Sequence, residues 1–140
     1  MAKTMQCNVV SAEQSLFQGD VVLVVATGEL GDLGIVPGHA PLITSLRPGP
    51  VRLQFENGDD ELFFVSGGFL EVIPTQITIL ADAADRAENL DKTAALDAQA
   101  EAKRLLADQP SEFDHAGATM ALDEAVARLR VIEQLRRRRA

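Results

Sequence analysis

Tryptophan and tyrosine are absent from this 140-residue chain, and aromatic residues make up only 4% of it. Surfaces that bind single-stranded nucleic acid stack bases on aromatic rings, and all nucleic-acid surfaces need an excess of positive charge. A net charge of −8 and a pI near 4.7 therefore argue against nucleic acid or an anionic lipid surface as partner. Cysteine is nearly missing too. The lone Cys7 cannot close an intramolecular disulfide, and no second cysteine or histidine stands near it, so a reducing compartment fits and its expected role is that of a small buried hydrophobe. The two histidines, His39 and His115, sit in different halves and outside any metal-ligand spacing. No glycine-rich phosphate loop is present, since Gly67-Gly68 lacks a following Lys-Ser or Lys-Thr. Long apolar runs are also lacking: residues 21–26 fall far short of the ~20 needed to cross a bilayer, and the start of the chain does not read as a signal peptide.

What is present is an ordinary globular composition, 46% hydrophobic and 24% charged, enough for one packed domain with an appendage. The pattern changes period near Ala84. Before it, Val51, Leu53 and Phe55 alternate with Arg52, Gln54 and Glu56, and Asn57-Gly58 opens a hairpin that returns over residues 61–65. Residues 6–10 and 21–27, the latter a β-branched run suited to burial on both faces, read as further strands. Residues 69–73 and 76–81 pair around Pro74-Thr75. Strands at this spacing, without helices between them, indicate an antiparallel β-sandwich or flattened barrel. After Ala84 only Gly117 and Pro110 remain of the ten glycines and six prolines. Asn89 can cap a helix to about Ala107 with a small face of Ala94, Ala98, Ala102 and Leu105. Gln109-Pro110 breaks it, and Ser111 with Asp114 can box the start of a second helix whose core face is Ala118, Leu122, Ala125, Leu129 and Ile132. Two helices joined this closely form an antiparallel hairpin. The expected architecture is α+β, with a sandwich over residues 1–84 and a hairpin over 85–140.

Residues 28–49 concentrate five glycines and three prolines, which marks a shaped loop. Ile35, Val36, Leu42, Ile43 and Leu46 are expected to tuck beneath it while Asp32 and His39 point outward, the make-up of a docking surface. Six arginines between Arg128 and Arg139 concentrate positive charge at one end of an acidic chain. They suit either a solvated helix terminus or a contact with an acidic protein. Asp59, Asp60 and Glu61 at a hairpin tip read as solubilising charge on an edge.

The stretch from Gly31 to Leu42, GDLGIVPGHAPL, closely resembles the signature loop of the ε subunit of bacterial F-type ATP synthases. The similarity extends through Val9–Gln14, Leu46–Gly49, Ser66–Val72 and Leu129–Glu133, nearly end to end. The resemblance implies a non-catalytic subunit of the central rotor of a proton-translocating synthase. Its sandwich would bind the γ subunit and rest on the c-ring through Gly31, Asp32, Pro37 and His39. Its hairpin would inhibit ATP hydrolysis when extended toward the α and β subunits, with Arg128, Arg130, Arg136 and Arg137 meeting β. The family places such a subunit peripherally on the cytoplasmic face of the bacterial plasma membrane, attached only through the complex. Some members bind ATP through a Leu-Asp-x-x-Arg-Ala motif, which here runs Leu90-Asp91-Lys92-Thr93-Ala94-Ala95. Asp91 and Arg128 match, but Ala94 replaces the arginine, so weak or absent ATP binding is expected. No other cofactor is implied. Two alternatives stand beside this reading: a sandwich-plus-hairpin adaptor for another helical protein, and a small acid/base enzyme using His39 and Asp32.

Overall fold

The computed structural model describes residues 3–108 and 112–139. Ten strands come first: β1 (Met5–Ser11), β2 (Ser15–Val21), β3 (Leu23–Gly28), β4 (Gly31–Ile35), β5 (Leu42–Leu46), β6 (Gly49–Gln54), β7 (Asp60–Val65), β8 (Gly68–Ile73), β9 (Gln76–Ala81) and β10 (Ala84–Arg86). A 3-10 turn (Ala87–Asn89) leads to α1 (Lys92–Asp108) and α2 (Glu112–Arg139). The sheet runs β10-β7-β6-β3-β5-β8-β9-β1-β2, with β4 hydrogen-bonded to β3. All pairs are antiparallel except β1 with β9. The sheet curls until its two ends meet, where Arg86 Nη2 on β10 donates to the Leu16 carbonyl on β2 at 2.7 Å. This is the flattened barrel that the strand spacing predicts.

Alternation fills the barrel. Val9, Val24, Val51, Leu53, Phe63, Leu70, Val72, Ile77 and Ile79 point inward and are almost wholly buried. Cys7 belongs to this core, and burial pushes its thiol up to about 12. β7 is the exception to one-sided burial, since Leu62, Phe63, Phe64 and Val65 are all buried. Phe63 and Val65 face the barrel interior, while Leu62 and Phe64 lie beneath α2 and cluster with Ala87 and with Ala127 and Val131 of that helix. Leu90 and Leu135 complete this second, smaller cluster. The hairpin is therefore folded down onto the sandwich through α2, and α1 packs on α2.

Several local expectations are corrected. The run over residues 21–27 is broken at Val22, because β2 ends its pairing with β1 at Val21 and β3 pairs with β4, β5 and β6 from Leu23 onward, and Val24 and Ala26 are buried on one face only. Residues 28–49 are not one loop but contain β4 and β5. Ile35 and Leu46 are buried, yet Val36 and Ile43 are 52% and 71% exposed. The cap of α1 is Asp91 and not Asn89: the Ala94 amide donates to Asp91 Oδ1 at 3.1 Å, while Asn89 ends the 3-10 turn that Ala87 anchors under α2. In α1 the buried edge is Ala95 and Ala102, and Ala94 and Ala98 face solvent. Five alanines between 94 and 102 give almost no contrast between faces, so the sequence barely marks the true one. The Gln109-Pro110 break and the Ser111/Asp114 capping box lie outside the described residues.

Candidate docking and regulatory surfaces

The glycine-rich signature splits in two when folded. Gly31, at a φ of 133°, begins β4 and sits opposite Gly28 across the β3–β4 turn. A Cβ on Gly28 would come within 2.8 Å of the Gly31 carbonyl oxygen, so the turn closes this tightly only with glycine there. The turn leaves Leu30 fully exposed and Asp32 exposed beside it. Pro37 and His39 lie past the other end of β4, in a bend fastened to the β8–β9 turn by the Gly38 amide on the Pro74 carbonyl at 2.9 Å. His39 Nδ1 is 2.8 Å from the neighbouring Ala40 carbonyl, and the residue as a whole is half-buried. Asp32 and His39 thus occupy opposite ends of one strand and form no common acid/base site.

The outer face of β5, β8 and β9 carries an apolar stripe. Phe69 and Leu80 pair directly across β8 and β9, Ser45 pairs Phe69, and Glu71 pairs Ile43. Ile43 is 71% exposed, Phe69 54%, Leu80 46% and Ile73 43%. Four large apolar side chains gathered on one sheet face mark a surface that is normally covered. Strand periodicity contains the signal, because Phe69 and Leu80 adjoin inward-facing Leu70 and Ile79, and neighbours along a strand must point to opposite faces.

The arginines of α2 fall into distinct settings. Arg128 lies over the Phe64 ring, 4.4 Å from its centroid, with Asp85 at 3.6 Å and Glu124 at 3.2 Å. Arg130 is exposed and faces a groove between α2 and the β3–β4 turn, shared with Asp32, Arg47 and Asp123. Arg136 and Arg137 both reach Glu133, at 2.6 and 3.3 Å, and are otherwise solvent-facing. The Arg136 hydrogen bond, aided by its charge and by Arg137, holds the Glu133 carboxyl down to about 2. Arg138 pairs with Asp60, and Arg139's side chain lies outside the described residues. Asp91, besides capping α1, is exposed. The acids of the β6–β7 turn do more than solubilise an edge: Glu61 pairs with Arg86, and Asp60 with Arg52 and Arg138.

Among the described residues no cluster of His, Cys, Asp or Glu is placed to hold a metal ion, and no helix is long and apolar enough to cross a membrane. Residues 4–87 match the family model for the beta-sandwich domain of the ATP synthase Delta/Epsilon chain, and residues 88–133 match that for its long alpha-helix domain. The ATP synthase epsilon chain of Acinetobacter baylyi is 50% identical over 135 residues, covering 96% of this chain and 97% of its own. That of Acinetobacter baumannii is 51% identical over the same length. Among solved structures, a chain of the Euglena gracilis mitochondrial ATP synthase OSCP/F1/c-ring assembly superposes with a TM-score of 0.81 at 21% identity, covering 89% of this chain and 78% of that one. A chain of the Tetrahymena thermophila central stalk and c-ring superposes at 0.64 with 16% identity, covering 93% and 97%. At those identities the superpositions establish the shared fold.

Proposed function

The chain belongs to the ATP synthase delta/epsilon family, and from that premise we propose that it is the epsilon-type subunit of a bacterial central stalk, non-catalytic, gripping γ with its sandwich and regulating hydrolysis with its hairpin. The apolar stripe on β5, β8 and β9 carries the first part of this reading. On its β5 side β3 separates it from the β6–β7 face that α2 covers, and none of its four apolar residues belongs to the α2 seat, so a helical partner such as γ can occupy it while the hairpin stays folded. The β3–β4 turn, with Gly31, Asp32 and bare Leu30, is the projecting feature suited to rest on polar loops of the c-ring, and Pro37 and His39 border the stripe through the Pro74 contact. A curled ten-stranded sheet with a filled interior is stiff enough to pass torque between the two.

The second part rests on the smallness of the α2 seat, a cluster of five buried residues of which two are alanines. A contact of that size suits two alternative hairpin positions of similar free energy. Opening would free Arg128 from Asp85 and Phe64, and Arg128, Arg130, Arg136 and Arg137 would then be offered together to an acidic surface of β. In the folded hairpin Asp91 serves as a helix cap and Arg128 is held by two acids, which together with Ala94 supports weak or absent ATP binding. The subunit would sit peripherally at the cytoplasmic face of the plasma membrane, held there by the complex. The deciding experiment is γ binding by a Phe69→Ser/Leu80→Ser variant. Affinity should fall about tenfold or more, the loss expected of two central apolar anchors; unchanged affinity would remove γ from this face.

A further inference from the structure

Two charged side chains of the β6–β7 hairpin meet a third, 78 residues further along the chain, where the last turn of α2 passes. Arg138 Nη2 donates to Asp60 Oδ1 and, at 3.4 Å, to the Asp60 backbone carbonyl, while Arg52 Nη1 stands 3.6 Å from the other carboxylate oxygen. Their side chains are only 29%, 23% and 31% exposed, so the contact is better shielded than an ordinary surface pair. Arg52 lies on β6 and stays with Asp60 whatever the hairpin does; Arg138 arrives only when α2 is down. The neighbouring acid cannot take over this role, because Glu61 is bound by Arg86, itself tied to Leu16 and lying 5.2 Å from the Phe63 ring centroid. Leu135, one turn before Arg138, packs on the apolar seat, so the charged contact closes the rim of that seat.

We propose that Asp60 is the receptor of a charge latch for the hairpin: Arg52 fixes the carboxylate, and Arg138 is the releasable arm that sets the balance between folded and open states. An acidic partner surface opens the hairpin by competing with Asp60 for Arg138. The proposal rests on the reading that the hairpin moves, and its test separates the two.

The readout is thiol labelling of the full chain carrying Ala127→Cys, a position of α2 that is 3% exposed on the side facing the sandwich and becomes reachable when the helix lifts. Native Cys7, fully buried inside the barrel, reports sandwich unfolding in the same sample. At low salt, Asp60→Asn and Arg138→Gln should each speed labelling of the introduced thiol roughly threefold, the size expected of a half-shielded ion pair, without changing Cys7. The two together should be no faster than either alone, Arg138→Lys should stay near the parent, and about 0.5 M salt should narrow the differences. Gln and Asn variants that label at the parent rate overturn the latch, as do additive effects. If the introduced thiol never labels ahead of Cys7 in any variant, the hairpin does not open on its own, and both the latch and the moving-hairpin reading fall. Independent opening with no effect of the variants removes the latch alone.

Discussion

Val131 is the residue on which the seating of α2 depends most directly. It is fully buried, on the helix face toward the sandwich, and it shares its cluster with Leu62, Phe64 and Ala127. Val131→Ala deletes two buried methyl groups at ~0.8 kcal/mol each, and a residual cavity brings the loss to about 2 kcal/mol. With RT near 0.59 kcal/mol that is roughly a thirtyfold gain in the open population, if the seat opens as a unit. Alanine is the better helix former, so weaker helix propensity cannot produce the effect. The barrel core shares no buried residue with this cluster, so its stability should be untouched. Amide hydrogen exchange followed residue by residue reads both at once. Protection in the middle of α2 should drop by about thirtyfold, while Leu70 and Ile79 in the barrel keep theirs. Unchanged α2 protection would mean the seat does not hold the helix, and an equal loss in both regions would mean that sandwich and hairpin form one cooperative unit.

Two further outcomes follow from particular residues. Gly68 has a φ of 129°, and a Cβ there would press into the Leu80 carbonyl, so Gly68→Ala should cost about 3 kcal/mol or more in urea unfolding. Gly34→Ala, where nothing lies near the added carbon, should stay within about 0.5 kcal/mol. The Glu133 carboxyl should titrate by NMR near 2, and Arg136→Gln should raise the midpoint toward the ordinary value of about 4.3. The sign is that of a depressed acid: its contribution to the end of α2 is present above the unfolded value and is lost as pH falls through about 2.

That strands give way to helices is legible because glycine and proline punctuate the first part so heavily and almost vanish from the second, while β10, over Ala84–Arg86, carries the last strand past the change of period at Ala84. The β6–β7 and β8–β9 hairpins are legible for the same reason, each having both alternation and a turn dipeptide. β2 and β4 escape notice because SLFQGDV and GDLGI carry glycine and little alternation, and their pairing partners supply what local preference does not. The second apolar face of α2, with Ala127, Val131 and Leu135, is hidden because a helix that packs on α1 and on the sheet has apolar residues on two sides. Asp60 and Arg138 stand 78 residues apart and have no local signature at all. Only the fold brings them together.

Whether the hairpin must move to inhibit is tested most simply by keeping the chain intact and fixing its hairpin. Asp60→Cys and Arg138→Cys, joined by a cleavable linker about 10 Å long, would replace the charge contact with a covalent one, and Cys7 is too deeply buried to interfere. ATP hydrolysis is then measured for a catalytic head lacking this subunit, with the bridged chain added and the linker afterwards cleaved. The bridged chain should bind the head without slowing hydrolysis, and cleavage should restore inhibition. Equal inhibition before and after cleavage would place the brake in the sandwich and not in the hairpin.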